Sequence, residues 1–225
     1  MATDTSHVRR AAIWRLARAQ HGVVSADQLA RLRLSPAAIR HRARRGSLHR
    51  IHPGVYAVGR PELGPRGHWM AAVLASGSGA ALSDLSAARL WEIVRRAPGR
   101  IHVTLPRGVD RRPAGITIHR RRQVKGDVVE RDGIPVTSPI RTLIDLATRL
   151  DRRGLERAVN EADRIDLVSP EDLRSAIAGR RERGVGVLRG LLDRRTFRLT
   201  DSELERRFLG LVRRAQLPLP DTGSV

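Results

Sequence analysis

The chain has no cysteine, a single lysine (Lys125) among its 43 basic residues, and only 3% aromatics, namely three tryptophans, two phenylalanines and one tyrosine. Without cysteine there are no disulfides, no thiol nucleophile and no thiolate-ligated zinc, which fits a reducing cytoplasm. So few aromatics argue against a stacking platform for single-stranded nucleic acid. Long apolar runs are missing too. The longest, Trp69 to Leu82, is broken by Ser76, Gly77, Ser78 and Gly79 and is too short to span a bilayer. The N-terminus MATDTSHVRR lacks the apolar core of a secretory signal. A soluble cytoplasmic protein with no membrane partner is the expectation. Scarce lysine reflects a GC-rich coding sequence, so arginine in its place is not by itself a sign of phosphate recognition.

What remains is abundant positive charge. The 225 residues carry a net charge of +20, and 40% hydrophobic content is enough for a core. Residues 1–60 hold 12 arginines against Asp4 and Asp27, a net +10. Residues 61–125 carry +8, and residues 126–225 only +2. The positive field therefore belongs to the N-terminal and central regions, while the C-terminal part reads as a salt-laced helical surface.

The first 60 residues read as three helices and a hairpin. Val8, Ala11, Ala12, Leu16 and Ala19 recur at helical spacing over 7–20, with Gly22 as a stop. Ser25 and Gln28 have capping-box spacing, which starts a helix at Ala26 running to about Leu32. Ser35-Pro36 starts another, since Pro36 at the first position loses no hydrogen bond, and Gly46 ends it. SLHRIHPGVYAVG, residues 47–59, reads as a hairpin around Pro53-Gly54. This order is that of a winged helix-turn-helix, in which a helix enters the major groove of double-stranded DNA and a basic hairpin follows the phosphates. With Ile39 and Ala43 facing inward, Ala37, Arg40, His41, Arg44 and Arg45 fall on the outer face. Arg40 and Arg44 are candidates for base edges, because a guanidinium grips guanine O6 and N7 together. Arg42, Arg50 and His52 are candidates for phosphate. The bland alternative is a solvated basic helix on a helical subdomain.

Beyond a linker at Pro61 to Pro65, helices are expected over Arg66–Ser76 and over 84–93 with Ser83 as cap. Strands follow at 100–106 and 116–120, and a hairpin at 128–138 turns on Asp132-Gly133. From Pro139 the chain reads as helical, with Ser169-Pro170-Glu171-Asp172 a strong helix start and a last amphipathic helix over Thr200–Gln216. The fold class is α+β: a winged helix-turn-helix (1–60), a mixed α/β domain with a helical C-terminal part (61–198), and a final helix (199–225).

With GVVS at 22–25, LHRIHPGVYAVG at 48–59, AARLW at 87–91, IHVTLPR at 101–107 and DGIPVTSPIRTLIDL at 132–146, the chain resembles actinobacterial proteins carrying the AbiEi-type antitoxin domain of type IV toxin–antitoxin systems. The resemblance covers about residues 10–200. It implies a winged helix-turn-helix followed by an α/β antitoxin domain, repression of its own promoter through inverted repeats, and antagonism of a nucleotidyltransferase-like toxin. Many such proteins continue into a Vsr-like, PD-(D/E)XK-type endonuclease domain, and TDSELERRFL from Thr200 resembles that domain's first helix. Asp221 is the single acid after Glu205, so the nuclease carboxylates are missing and the chain reads as a truncated relative. An inactive endonuclease relative and an orphan winged-helix regulator are the alternatives.

Other constellations weigh towards plain structure. His49 and His52 form an H-x-x-H, but on a strand an odd offset points them to opposite faces. Gly184, Gly186 and Gly190 miss the dinucleotide spacing. Glu161, Asp163 and Asp166 lie beside Arg157 and Arg164 as a surface salt network, and Trp69 and Trp91 sit on apolar helix faces. Arg120-Arg121-Arg122, after a strand, either extends the DNA footprint, binds another partner or forms a solvated loop. No catalytic set emerges, and neither cofactor nor metal site is expected.

Overall fold

A computed structural model describes residues 2–96, 99–122, 124–192 and 208, with side chains from residue 7 onward. The chain divides into two compact units, Met1–Leu146 and Ala147–Val225.

The first unit opens with α1 (Ala2–Ala19), β1 (Val23–Ser25), α2 (Ala26–Arg31), α3 (Pro36–Arg44), β2 (Leu48–His52) and β3 (Val55–Val58). The strands form an antiparallel sheet in the order β1-β3-β2. Ile13, Ala17, Val24, Leu29, Leu34, Ile39, Leu48 and Val58 make one buried cluster beneath the helices. Burying each large member contributes about 1.5–3 kcal/mol. The phase of α1 differs from expectation. Ile13, Leu16, Ala17 and Gln20 face the sheet, whereas Val8 is 64% exposed. Spacing identified the helix, but small alanines all round it left its inner face ambiguous.

The unit continues with α4 (Pro65–Ser76), β4 (Ala81–Leu82), α5 (Asp84–Leu90), β5 (Ile101–Pro106), β6 (Ile116–Arg121), β7 (Val128–Arg131), β8 (Ile134–Thr137) and α6 (Pro139–Leu146). Five strands form a mixed sheet in the order β6-β5-β4-β8-β7, with β5–β6 and β4–β8 parallel. The β7–β8 turn is Asp132-Gly133, both at positive φ (52° and 74°), as a tight primed hairpin requires. Ser83 stands at the start of α5, yet its hydroxyl takes no capping bond, and Asp84 Oδ1 accepts from Leu85 N at 2.8 Å instead. Trp91 is buried, and its Nε1 donates to the Thr137 carbonyl at 2.7 Å. On α6, Arg141 Nη2 reaches Asp145 Oδ1 at 2.7 Å, and Arg121 Nη1 donates to the same oxygen. Arg120 is tied to Asp110 at 3.0 Å and to the carbonyls of Val109 and Arg111. Arg120 and Arg121 thus belong to strand β6 and its ion pairs, not to a solvated loop. His21 Nε2 donates to the Asp132 carbonyl at 2.6 Å, and Arg66 pairs with the Asp132 carboxylate at 2.8 Å, so the hairpin turn is held against the end of α1.

The second unit contains α7 (Arg152–Arg164), α8 (Pro170–Ile177) and α9 (Val185–Leu191). Leu155, Leu173, Ile177, Leu188 and Leu192 are the largest fully buried side chains among its described residues. Asp151 and Ser169 cap α7 and α8 through their side chains. Arg189 Nη2 donates to the carbonyls of Ile177, Ala178 and Arg180 at 2.7–2.8 Å, satisfying the end of α8 where the helix dipole favours a cation. The expected helix over Thr200–Gln216 lies outside the described residues apart from Phe208, which is exposed rather than inward. Among the described residues, no helix is long and apolar enough to cross a membrane.

Candidate nucleic-acid interface

The helix-turn-helix is assembled by local chemistry. Ser25 Oγ accepts from Gln28 N at 3.2 Å while Gln28 Oε1 accepts from Ser25 N at 2.8 Å, the reciprocal bonds that start α2. The turn runs through Arg33 at φ 61° and is closed by Leu34 N donating to Leu29 O at 3.0 Å. Ser35 Oγ then accepts from Ala38 N at 3.2 Å, with Pro36 in the first turn of α3. Ile39 is 6% exposed and Ala43 packs on the same cluster, which fixes the rotation of α3 about its axis.

That rotation sends Ala37, Arg40, His41, Arg44 and Arg45 to the exposed side, with Arg42 half-buried at its edge. Arg40, Arg44 and Arg45 make no ion pair among the described residues, and the nearest acids in sequence are Asp27 and Glu62. Ala37, His41, Arg42, Arg44 and Arg45 line an open cleft of about 890 Å³ shared with α1. Arg40 does not line it. From α1 the cleft also receives Arg10 and Trp14, neither of which the sequence reading singled out, although Trp14 is 44% exposed. The Trp14 ring packs so closely on Gly59 that a Cβ there would lie 2.6 Å from it.

Arg50 is exposed on β2, and His52 ends that strand after a bulge between Arg50 and His52. The hairpin turn is short and tied back by Ala26 N donating to Gly54 O at 2.7 Å. Burial, reinforced by the nearby His68, holds the His52 imidazole below its ordinary value near 6.5. His52 is therefore mainly neutral at pH 7, and a neutral imidazole can meet an anion only as a hydrogen-bond donor. His49 points elsewhere, with its Nε2 donating to the Gly59 carbonyl at 3.3 Å.

A second constellation, missed in the sequence, lies on the five-stranded sheet. Asp84, His102 and His119 bring one ligand atom each to within 4.8 Å of one another. Asp84 sits at the start of α5 with φ 54°, and the histidines are diagonal neighbours on the parallel strands β5 and β6. No local spacing announces this group. The signal available was one histidine in each of two strands, IHVTLP and ITIHR.

Residues 79–194 match the family model described as the AbiEi antitoxin C-terminal domain, and residues 13–59 match the model described as a transcriptional regulator, AbiEi antitoxin. No curated protein matches the chain. Among solved structures, the crystal structure of RV2827C protein from Mycobacterium tuberculosis is similar, with a TM-score of 0.52 and 24% identity, covering 81% of this chain and 75% of that one. At that identity the likeness concerns the fold.

Proposed function

The chain belongs to the AbiEi antitoxin family, and from that premise we propose that it is the autorepressor and antitoxin of a type IV toxin–antitoxin system. Its first 60 residues bind double-stranded DNA at the chain's own promoter, with α3 in the major groove. Arg40 and Arg44 read base edges, and Ala37, His41 and Arg45 lie against the same groove. Arg42, Arg50 and His52 hold phosphates. The observation that carries this reading is a capped helix fixed by Ile39 that presents Arg40, Arg44 and Arg45 to solvent without acidic partners among the described residues. The remainder of the chain meets a nucleotidyltransferase-like toxin or opposes its product.

The test is footprinting of the full chain on the DNA upstream of its own gene, with a nucleotidyltransferase gene from the same locus expressed with and without it. Protection of a discrete site and relief of growth arrest support the reading. Uniform coating of any DNA would overturn autorepression, and undiminished arrest would overturn the antitoxin role.

A further inference from the structure

We propose that Asp84, His102 and His119 form a binding site for one divalent transition-metal ion of the zinc class, separate from the DNA-binding surface. His102 Nδ1 and His119 Nε2 are 3.0 Å apart, and Asp84 Oδ2 lies 3.8 and 3.7 Å from them. The point in the plane of these three atoms equidistant from them is about 2.0 Å from each, the bond length zinc makes to imidazole nitrogen and carboxylate oxygen. An ion raised out of that plane toward a fourth ligand requires the three groups to close slightly. The separations bracket the roughly 3.3 Å edge of a tetrahedron with such bonds. Two imidazoles and one carboxylate favour zinc, iron, nickel or copper over magnesium or calcium, which prefer all-oxygen shells.

The surroundings orient the three groups. Asp84 Oδ1 accepts from Leu85 N at 2.8 Å, leaving Oδ2 turned to the histidines, so the carboxylate would bind through one oxygen. The His102 amide donates to Ser86 Oγ at 3.0 Å and its carbonyl accepts from Ser83 N at 3.0 Å, clamping β5 to the start of α5. Thr104 Oγ1 donates to the His119 carbonyl at 3.2 Å. Asp84 occupies a left-handed backbone conformation that an aspartate adopts at a cost, and such outliers gather at functional sites. The imidazole planes lie within 10° with centroids 5.3 Å apart, so the facing nitrogens meet head-on and share one proton. An ion would replace that proton, which moves to the far nitrogen of its ring, while both rings turn toward Asp84. The Asp84 side chain is 3% exposed, against 12% for His102 and 19% for His119. The histidine side is thus the open one, and a fourth ligand, water or an oxyanion, would bind there. Three protein ligands with one open position is the pattern of a reactive rather than a purely structural zinc centre.

The test is titration of the chelator-treated full-length protein with Co²⁺ and then Zn²⁺. We expect one Co²⁺ per chain with the intense visible bands of a low-coordinate centre, lost on adding one equivalent of Zn²⁺. His102→Ala and His119→Ala should each weaken binding by more than about 100-fold, since even outer-sphere changes cost 10- to 100-fold. Asp84→His should keep it, and His7→Ala, on an exposed residue of α1, should leave it unchanged. Wild-type protein that shows no saturable one-to-one binding would overturn the site, as would binding that survives loss of either histidine. Should the histidine variants fail to fold, ring-nitrogen NMR of the wild type decides: Zn²⁺ must shift the His102 and His119 rings first, and shifts confined to other histidines would refute the proposal.

Discussion

On and just after α3, Arg40, Arg44 and Arg45 are exposed with no acid against them among the described residues. Around α6, Arg121 and Arg141 converge on Asp145, whose side chain is 3% exposed. The two sets come from one arginine-rich composition and lie within one compact unit. What separates them is the distribution of acids. Residues 1–60 contain two acidic residues, too few to neutralise their 12 arginines. The α/β part supplies a buried carboxylate, Asp145, shared by Arg121 and Arg141. Net charge therefore locates the polyanion-binding surface only after the paired arginines have been set aside.

The largest expected effect lies on the paired side of this comparison. Asp145→Ala leaves Arg141 and Arg121 facing each other without their shared carboxylate, and breaking a buried pair from one side typically costs about 3–5 kcal/mol. Urea unfolding should show that loss, while DNA affinity of the protein still folded stays as in wild type. An unfolding midpoint close to wild type would mean that the Asp145 cluster is ornamental.

Next comes the unpaired side. Arg40→Ala or Arg44→Ala should weaken binding to the promoter by about 1–3 kcal/mol and relax preference at one base pair, without changing the unfolding midpoint. Arg50→Ala should instead weaken every DNA sequence alike. If Arg40→Ala lowered stability but not affinity, α3 would belong with the structural arginines and the contrast would fail.

Caps give smaller changes. Ser35→Ala removes the hydroxyl that holds Ala38 N and should cost about 1 kcal/mol of stability by chemical denaturation. DNA affinity should fall with it only if fraying of α3 reaches Arg40.

The smallest effect is the pH response of His52. Its imidazole is held below the ordinary value near 6.5 in the folded chain, chiefly by burial and then by His68. The unfolded chain therefore takes up this proton first as pH falls. Stability attributable to His52 is complete above about 6.5 and declines as pH drops through that value. Melting curves of wild type and His52→Gln at about pH 7.5 and 5.5 should show a shallower decline in the variant. Equal declines would remove His52 from the pH response.

How far the sequence was legible follows the range of each interaction. The Ser25–Gln28 capping box, the Ser35-Pro36 start and the Asp132-Gly133 turn are settled within four residues, and they stand where the sequence puts them. The inner face of α1 depends on which side meets the sheet, and alanine-rich spacing leaves that open. The role of Arg120 and Arg121 stayed open between DNA, another partner and a loop because their strand register with Leu105 and Pro106 is a distant pairing. Asp84, His102 and His119 were invisible for the same reason: a turn and two parallel strands bring them together, with no motif spacing to mark them. The exposed arginines of α3 were legible because a helix needs only its own period to divide inside from outside.

DNA binding by the first 60 residues is proposed to run through cations that stay unneutralised among the described residues. Its most direct test is fluorescence anisotropy of the full chain on its promoter across a range of salt concentrations. Contact with ~5 phosphates predicts a slope of log K against log salt of about −4 to −5, reduced by about one unit in Arg50→Ala. A slope near zero, or one that Arg40→Ala, Arg44→Ala and Arg50→Ala together leave unchanged, would contradict it.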